Sequence, residues 1–143
     1  MTEPTTDQLA TLGAAFETFT RRYKLAEAIG AEKQLNELDK QTLLYVAGHP
    51  ACGPSDIARF LAVPNTTISS ATDRLVKRGL LNRDRVEGDR RAVALRLSRA
   101  GETYASAQVQ AHRDISRRML EPLSAVERDQ FIAMITKIVY HDD

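Results

Sequence analysis

Two sets of side chains in the middle of this 143-residue chain have the types and spacing for chemistry on a polyanion. The first is a run of short hydroxyl and amide groups, Asn65, Thr66, Thr67, Ser69 and Ser70, followed by Arg74 and Lys77. Short hydroxyls approach base edges and phosphate oxygens closely, and the longer Arg74 and Lys77 reach out to a backbone beyond them. The second set is the adjacent pair Arg90 and Arg91, just after the turn-forming triplet Glu87-Gly88-Asp89. Arginines at a narrow protruding tip suit a DNA minor groove, whose enhanced negative potential they read as width more than as base identity.

Such side chains need a helix and a hairpin to hold them. At 100° per residue, Ile68, Ala71, Thr72 and Leu75 gather on one side of a helix while Thr66, Ser70, Asp73 and Lys77 lie opposite, with Thr67 and Arg74 flanking the outward face. Asn65 or Thr66 is positioned to cap this helix, and Gly79 to end it in a left-handed conformation. Beyond Leu80-Leu81 the period changes to two, with Val93, Leu95 and Leu97 alternating against Ala94 and Arg96 as in a half-buried strand. Asn82 to Val86 forms the opposite strand. Upstream, Pro54 suits a first helical position and Asp56 a helix N-terminus, while Ile57, Ala58 and Leu61 supply an inner face. The break at Val63-Pro64-Asn65 is as short as the connection in a helix-turn-helix. A helix-turn-helix followed by a basic wing is therefore expected.

Helices flank this module. Leu9, Leu12, Phe16, Phe19, Tyr23 and Ala26 recur in steps of three and four, giving one amphipathic helix from Asp7 to about Gly30 whose stripe serves as core or subunit interface. Asn36 is placed to cap a second helix carrying Leu38, Leu43, Leu44 and Val46, which His49-Pro50 ends. Ser98 is placed to cap a long helix to about Leu120, with Tyr104, Ala111, Ile115 and Met119 at helical spacing. After Pro122, Ser124 and Glu127 form a capping box for a last helix with Phe131, Ile135 and Ile138 as inner positions.

Charge agrees once it is counted locally. The chain has a formal net charge of +1, yet residues 59–99 hold ten basic side chains against four acids, a local +6 that leaves −5 for the rest. A basic module in an acidic body suits a protein presenting one face to a polyanion. No apolar run approaches the ~18 residues of a membrane span, and the start MTEPTTDQ lacks the pattern of a secretory signal, so a cytoplasmic protein without membrane contact is expected. One cysteine, Cys52, excludes an internal disulfide framework and a cysteine-rich zinc site. His49 and Cys52 alone are too few ligands for a metal, and no cofactor is expected. A nucleophile with an evident base and a glycine-rich phosphate loop are both missing, which argues against an enzyme.

The chain resembles the MarR (multiple antibiotic resistance) regulators through Asp73-Arg74-Leu75-Val76-Lys77-Arg78-Gly79-Leu80, then Asp89-Arg90-Arg91, then Leu95-Arg96-Leu97-Ser98-Arg99-Ala100-Gly101. These match that family's D-R-L-x-x-x-G-L helix end, D-x-R wing tip and L-x-L-T/S-x-x-G entry to the next helix, in order and spacing. The resemblance implies a mainly α fold with a small β-hairpin wing: a winged helix-turn-helix with long N- and C-terminal dimerisation helices. It implies a single domain over residues 1–143, with a DNA-binding lobe at about 37–98 and dimerisation helices at about 7–30 and 99–140. It further implies a homodimer on pseudo-palindromic double-stranded DNA, acting as a repressor released by a small phenolic or anionic effector. Arg91 takes the place of the D-x-R arginine, with Arg90 beside it. The outward residues of 65–77 take the place of base and phosphate readers.

Where oxidant-sensing members of the family carry a reactive cysteine in the first helix, this chain has none; Cys52 lies in the loop before the turn motif. A reactive thiol there needs a lowered pKa, from His49 or the helix starting at Pro54. No cluster of charged or aromatic residues in the helical body points to one effector pocket; Tyr23, His112 and Arg113 are candidates to line one, against an ordinary surface or core role for each. The competing reading is a winged-helix adaptor that binds protein, which calls for an apolar exposed face in place of the hydroxyl-rich one.

Overall fold

The computed structural model describes residues 2–30 and 35–141, apart from the side chains of residues 24–30, 90 and 91. In chain order the elements are α1 (Thr6–Gly30), α2 (Glu37–Gly48), α3 (Pro54–Leu61), α4 (Asn65–Lys77), β1 (Leu81–Val86), β2 (Asp89–Leu97), α5 (Arg99–Leu120) and α6 (Ala125–Val139). They divide into two compact units, residues 1–37 and 38–143.

In the first unit, α1 opens on a reciprocal cap: the Gln8 amide N–H donates to Thr5 Oγ1 at 3.1 Å and the Thr5 N–H donates to Gln8 Oε1 at 2.9 Å. The Phe19 and Tyr23 rings meet at 4.5 Å, one turn apart. Leu9, Leu12 and Phe16 of the apolar stripe are exposed.

The second unit is built around a core drawn from nearly every element in it. Leu43 and Val46 of α2, Ile57 and Ala58 of α3, Ile68, Ala71 and Leu75 of α4, Leu81 and Leu95 of the hairpin and Ala105 of α5 are all buried. Full burial of each large aliphatic side chain stabilises by about 1.5–3 kcal/mol. The buried hydroxyls of Thr42 and Thr72 donate back to the carbonyls of Leu38 and Ile68, so neither is left unpaired. The inner face expected for residues 65–77 is the buried face of α4. Leu61 is half-buried.

Local chemistry sets the breaks between elements. Pro54 is the first residue of α3, and the Asp56 carboxylate accepts from the Gly53 N–H at 2.9 Å. α3 stops because Ala62 turns left-handed (φ 56°) and the Val63 N–H returns to the Ala58 carbonyl. The cap expected of Asn65 or Thr66 is not formed. Helix α4 starts at Asn65, and it is the extended Pro64 whose carbonyl accepts from Thr67 and Ile68. At the other end, Gly79 (φ 75°) donates to Val76 and Leu80 donates to Leu75, a Schellman closure.

β1 and β2 pair antiparallel, Leu81 opposite Leu97 through Arg85 opposite Val93. The register then shifts so that Val86 faces Asp89, which leaves Arg90, Arg91 and Ala92 as extra β2 residues beside the tip. The hairpin is fastened to the α2–α3 loop, because Ala51 donates to the Leu95 carbonyl and Leu95 to the Cys52 carbonyl, both at 2.8 Å.

Ser98 joins helix α5 to this module. The Ser98 N–H donates to the Leu80 carbonyl, its hydroxyl donates to the Gly79 carbonyl at 2.6 Å, and the same oxygen caps α5 by accepting from Gly101 at 3.0 Å. Farther on, Ser124 and Glu127 form the expected capping box of α6, and that hydrogen bonding to Ser124 holds the Glu127 carboxyl below its ordinary pKa. The inner positions expected beyond Gly101 are only partly realised. Tyr104, Ala111, Ile115 and Met119 are half-buried, and α6 buries none of its residues, Phe131 being half-buried and Ile135 and Ile138 exposed. The apolar periodicity of α6 marks a face whose large side chains, Ile132, Ile135, Ile138 and Val139 among them, are exposed.

Gly101 sits so close to Leu80 that a Cβ there would run into the Leu80 carbonyl oxygen. Gly101→Ala is therefore expected to destabilise the fold by about 1–3 kcal/mol, and Ser98→Ala by about 1 kcal/mol through loss of the cap. Urea unfolding followed by circular dichroism checks both.

Candidate nucleic-acid interface

Helix α4 turns its polar face outward: Asn65, Thr66, Ser69, Ser70, Asp73 and Lys77 are exposed and Thr67 is half-buried. The burial of Ile68, Ala71, Thr72 and Leu75 fixes this orientation, since rotating the helix would expose its apolar side. The face presents hydroxyls in its first two turns and a cation, Lys77, in its last turn.

Arg74 stands apart from the other candidates. It is engaged by Asp39 of α2, donating through Nε at 3.0 Å to Oδ2 and through Nη2 at 2.7 Å to Oδ1. The Asp39 carboxylate is only 5% exposed, whereas Arg74 keeps 44% of its side chain open. The hydrogen bond to Asp39 raises the guanidinium pKa above its ordinary value, so Arg74 is a permanently charged strut between α2 and α4. Its outward reach is correspondingly shortened compared with that of Lys77.

A second ion pair joins α4 to the hairpin. Arg83 Nη1 of β1 lies 2.8 Å from Asp73 Oδ1, both side chains being largely open to solvent. Neither Asp39 nor Arg83 is among the site residues expected from sequence. Asp39 and Arg74 lie 35 positions apart with no local pattern linking them. Arg83 is within reach of strand alternation, since it lies two residues after the buried Leu81 and therefore on the same side of the hairpin. Arg90 and Arg91 lie in β2 at the bulged tip; their side chains are outside those described.

The thiol of Cys52 is half-buried. Burial, reinforced by the Asp56 carboxylate, pushes its pKa above the ordinary value. His49 does not offset this, its ring being stacked on Tyr45 at 4.1 Å with Nδ1 3.0 Å from the Tyr45 carbonyl. Among the described residues no group of three or more His, Cys, Asp or Glu side chains could hold a metal ion. His112 and Arg113 line an open groove of about 690 Å³ with Leu44 and Ala47 of α2 and Ala105 and Val109 of α5. Tyr23 belongs to the first unit.

Asp39→Ala leaves Arg74 without its carboxylate and is expected to lower the thermal midpoint by several degrees. Arg74→Lys is expected to lower it too, because an ammonium cannot reproduce the two-point hydrogen bond. Differential scanning calorimetry measures both. Cys52 is expected to react with iodoacetamide near neutral pH more slowly than free cysteine, since the raised pKa keeps it protonated.

The profile of the MarR family matches residues 33–92. The chain is 34% identical over 106 residues to the HTH-type transcriptional regulator PecS of Dickeya dadantii, a match covering 73% of this chain and 64%, just under two thirds, of that one. It is 24% identical over 127 residues to the HTH-type transcriptional repressor NicR of Pseudomonas putida, covering 89% of this chain and 80% of that one. Its fold is similar to that of Streptococcus pneumoniae FabT, whose crystal structure is in complex with DNA, with a TM-score of 0.79 and 20% identity over 93% of this chain and 95% of that one. Residues 33–92, the winged helix-turn-helix lobe that carries the D-R-L and D-x-R signatures, thus match the MarR family, and the chain is similar to these transcriptional regulators.

Proposed function

We propose that this protein represses transcription by binding a pseudo-palindromic DNA site as a homodimer in the cytoplasm. The outward face of α4 carries the reading: exposed hydroxyls lie over an inner side held rigidly in the core, next to a hairpin that ends in two arginines. In this reading residues of about 37–98 form the DNA-binding lobe, with Asn65, Thr66, Thr67, Ser69 and Ser70 reaching base edges and nearby phosphates. Lys77 contacts the DNA backbone, Arg90 and Arg91 enter the flanking minor groove, and Arg74 mainly positions α4.

The same fold in FabT, a protein solved with DNA, and the repressor role of NicR support this choice. An adaptor would instead present apolar side chains where α4 presents hydroxyls.

The dimer follows from exposed apolar surface. Leu9, Leu12 and Phe16 of α1, and Ile132, Met134, Ile135, Ile138, Val139 and Tyr140 of α6, are too many large apolar groups to leave in water. A second copy covering them provides two-fold related recognition helices for half-sites one DNA turn apart. The groove containing His112 and Arg113 suits a small phenolic or anionic effector, which would release the repressor by favouring a spacing of the two lobes that no longer fits DNA.

Arg90→Ala with Arg91→Ala is expected to weaken binding across sequences and flatten the log–log salt dependence by about 0.9 for each phosphate left without its cation. Thr66→Ala and Ser70→Ala are expected to change preference among sites more than the salt slope. Fluorescence anisotropy at several salt concentrations, on duplexes from upstream of the protein's own gene and on shuffled controls, measures these effects. Light scattering is expected to give the mass of a dimer, and the mass of a monomer would contradict the arrangement.

A further inference from the structure

Asp73 is an acid on the face that the reading above turns toward phosphates. It is on the same side of α4 as Thr66, Ser70 and Lys77, and 56% of its side chain is exposed. An unpaired carboxylate there would repel DNA. Its partner Arg83, at 2.8 Å, is on β1 opposite the fully buried Leu95, the residue whose backbone bonds fasten the hairpin to Ala51 and Cys52. The pair thus bridges helix and hairpin where the arm leaves the core, and the Asp84–Ala94 and Arg85–Val93 rungs run outward from it to the tip. An ion pair this exposed contributes little to folding. Arg74 does not compete for Asp73, being about 100° around the helix and held there by Asp39.

We propose that Asp73 and Arg83 are a positioning pair for DNA recognition: their bond sets the hairpin arm at the angle from which the tip arginines and the α4 hydroxyls engage one duplex together. This rests on the DNA-binding reading and adds a claim that Coulomb's law alone contradicts. If Asp73 were only a misplaced negative charge, removing it would tighten binding. As a positioning residue, its loss weakens binding, because the tip must then be ordered at the moment of association.

The test uses the full-length protein and a duplex selected from a random pool on the wild-type protein, with affinity measured against salt concentration for Asp73→Ala, Asp73→Asn, Arg83→Ala and the Asp73→Ala/Arg83→Ala double variant. Each single variant is expected to weaken binding about threefold, the most that so exposed a pair supplies being about fivefold, with the double variant no weaker than either, as for coupled neighbours. In an Arg90→Ala/Arg91→Ala background, Asp73→Ala is expected to have no further effect, since the pair acts through the tip. Thermal midpoints close to that of the wild type separate this from a loss of folding, and Asp73→Asn, which keeps the side chain's shape, must weaken binding as well. Tighter or unchanged binding by Asp73→Ala and Asp73→Asn, or an undiminished effect of Asp73→Ala without the tip arginines, would overturn the inference while leaving the DNA-binding reading intact. A wild-type protein that shows no salt-dependent preference for any duplex overturns both.

Discussion

The close approach of Gly101 to the Leu80 carbonyl is the constraint on which the arrangement of the second unit depends. Three segments meet there: the closure of α4 at Gly79-Leu80, the end of β2 and the first turn of α5. Ser98 satisfies groups on both sides with one side chain and one backbone N–H, so the end of α4 and the start of α5 share hydrogen bonds. A side chain at Gly101 would push α5 away and break this sharing. The two sequence signatures that frame the wing, Arg78-Gly79-Leu80 and Leu97-Ser98-Arg99-Ala100-Gly101, are thus two halves of a single joint.

Electrostatics then organises α4 from two neighbouring positions. Asp73 and Arg74, about 100° apart on the helix, reach in different directions, one to the hairpin and the other to α2. The buried carboxylate of Asp39 would be costly without its guanidinium, so that contact fixes the helix to the body. The exposed pair adds little to stability and acts on orientation. Among the described residues Lys77, Arg85, Arg96 and Arg99 are exposed, and the field of such surface cations reaches over a range set by salt.

Much of this is legible in the sequence because it is local. The inner face of α4 follows from a 3.6-residue period, the left-handed Gly79 from its position after the last turn, the Ser98 cap and the Ser124–Glu127 box from short spacings. The failures have two causes. Pro64 displaces Asn65 and Thr66 as the residue at the N-cap, a choice between adjacent positions that hydroxyl preference alone does not settle. Asp39–Arg74 joins residues distant in sequence, and nothing along the chain signals a pair made by the packing of two helices. For α6 the pattern shows an apolar side correctly but does not say which body would cover it.

The bulge at the hairpin tip separates two jobs that a regular hairpin would combine. Rungs from Leu81–Leu97 to Arg85–Val93 keep a strict register, and Arg90, Arg91 and Ala92 lie outside it. Residues outside the ladder are free of the alternation that pairing imposes, since changing one of them does not flip its neighbours to the other face. The tip is therefore the place where length and charge vary at small cost to the fold. A substitution there changes what the arm touches while leaving the rungs that build the arm intact.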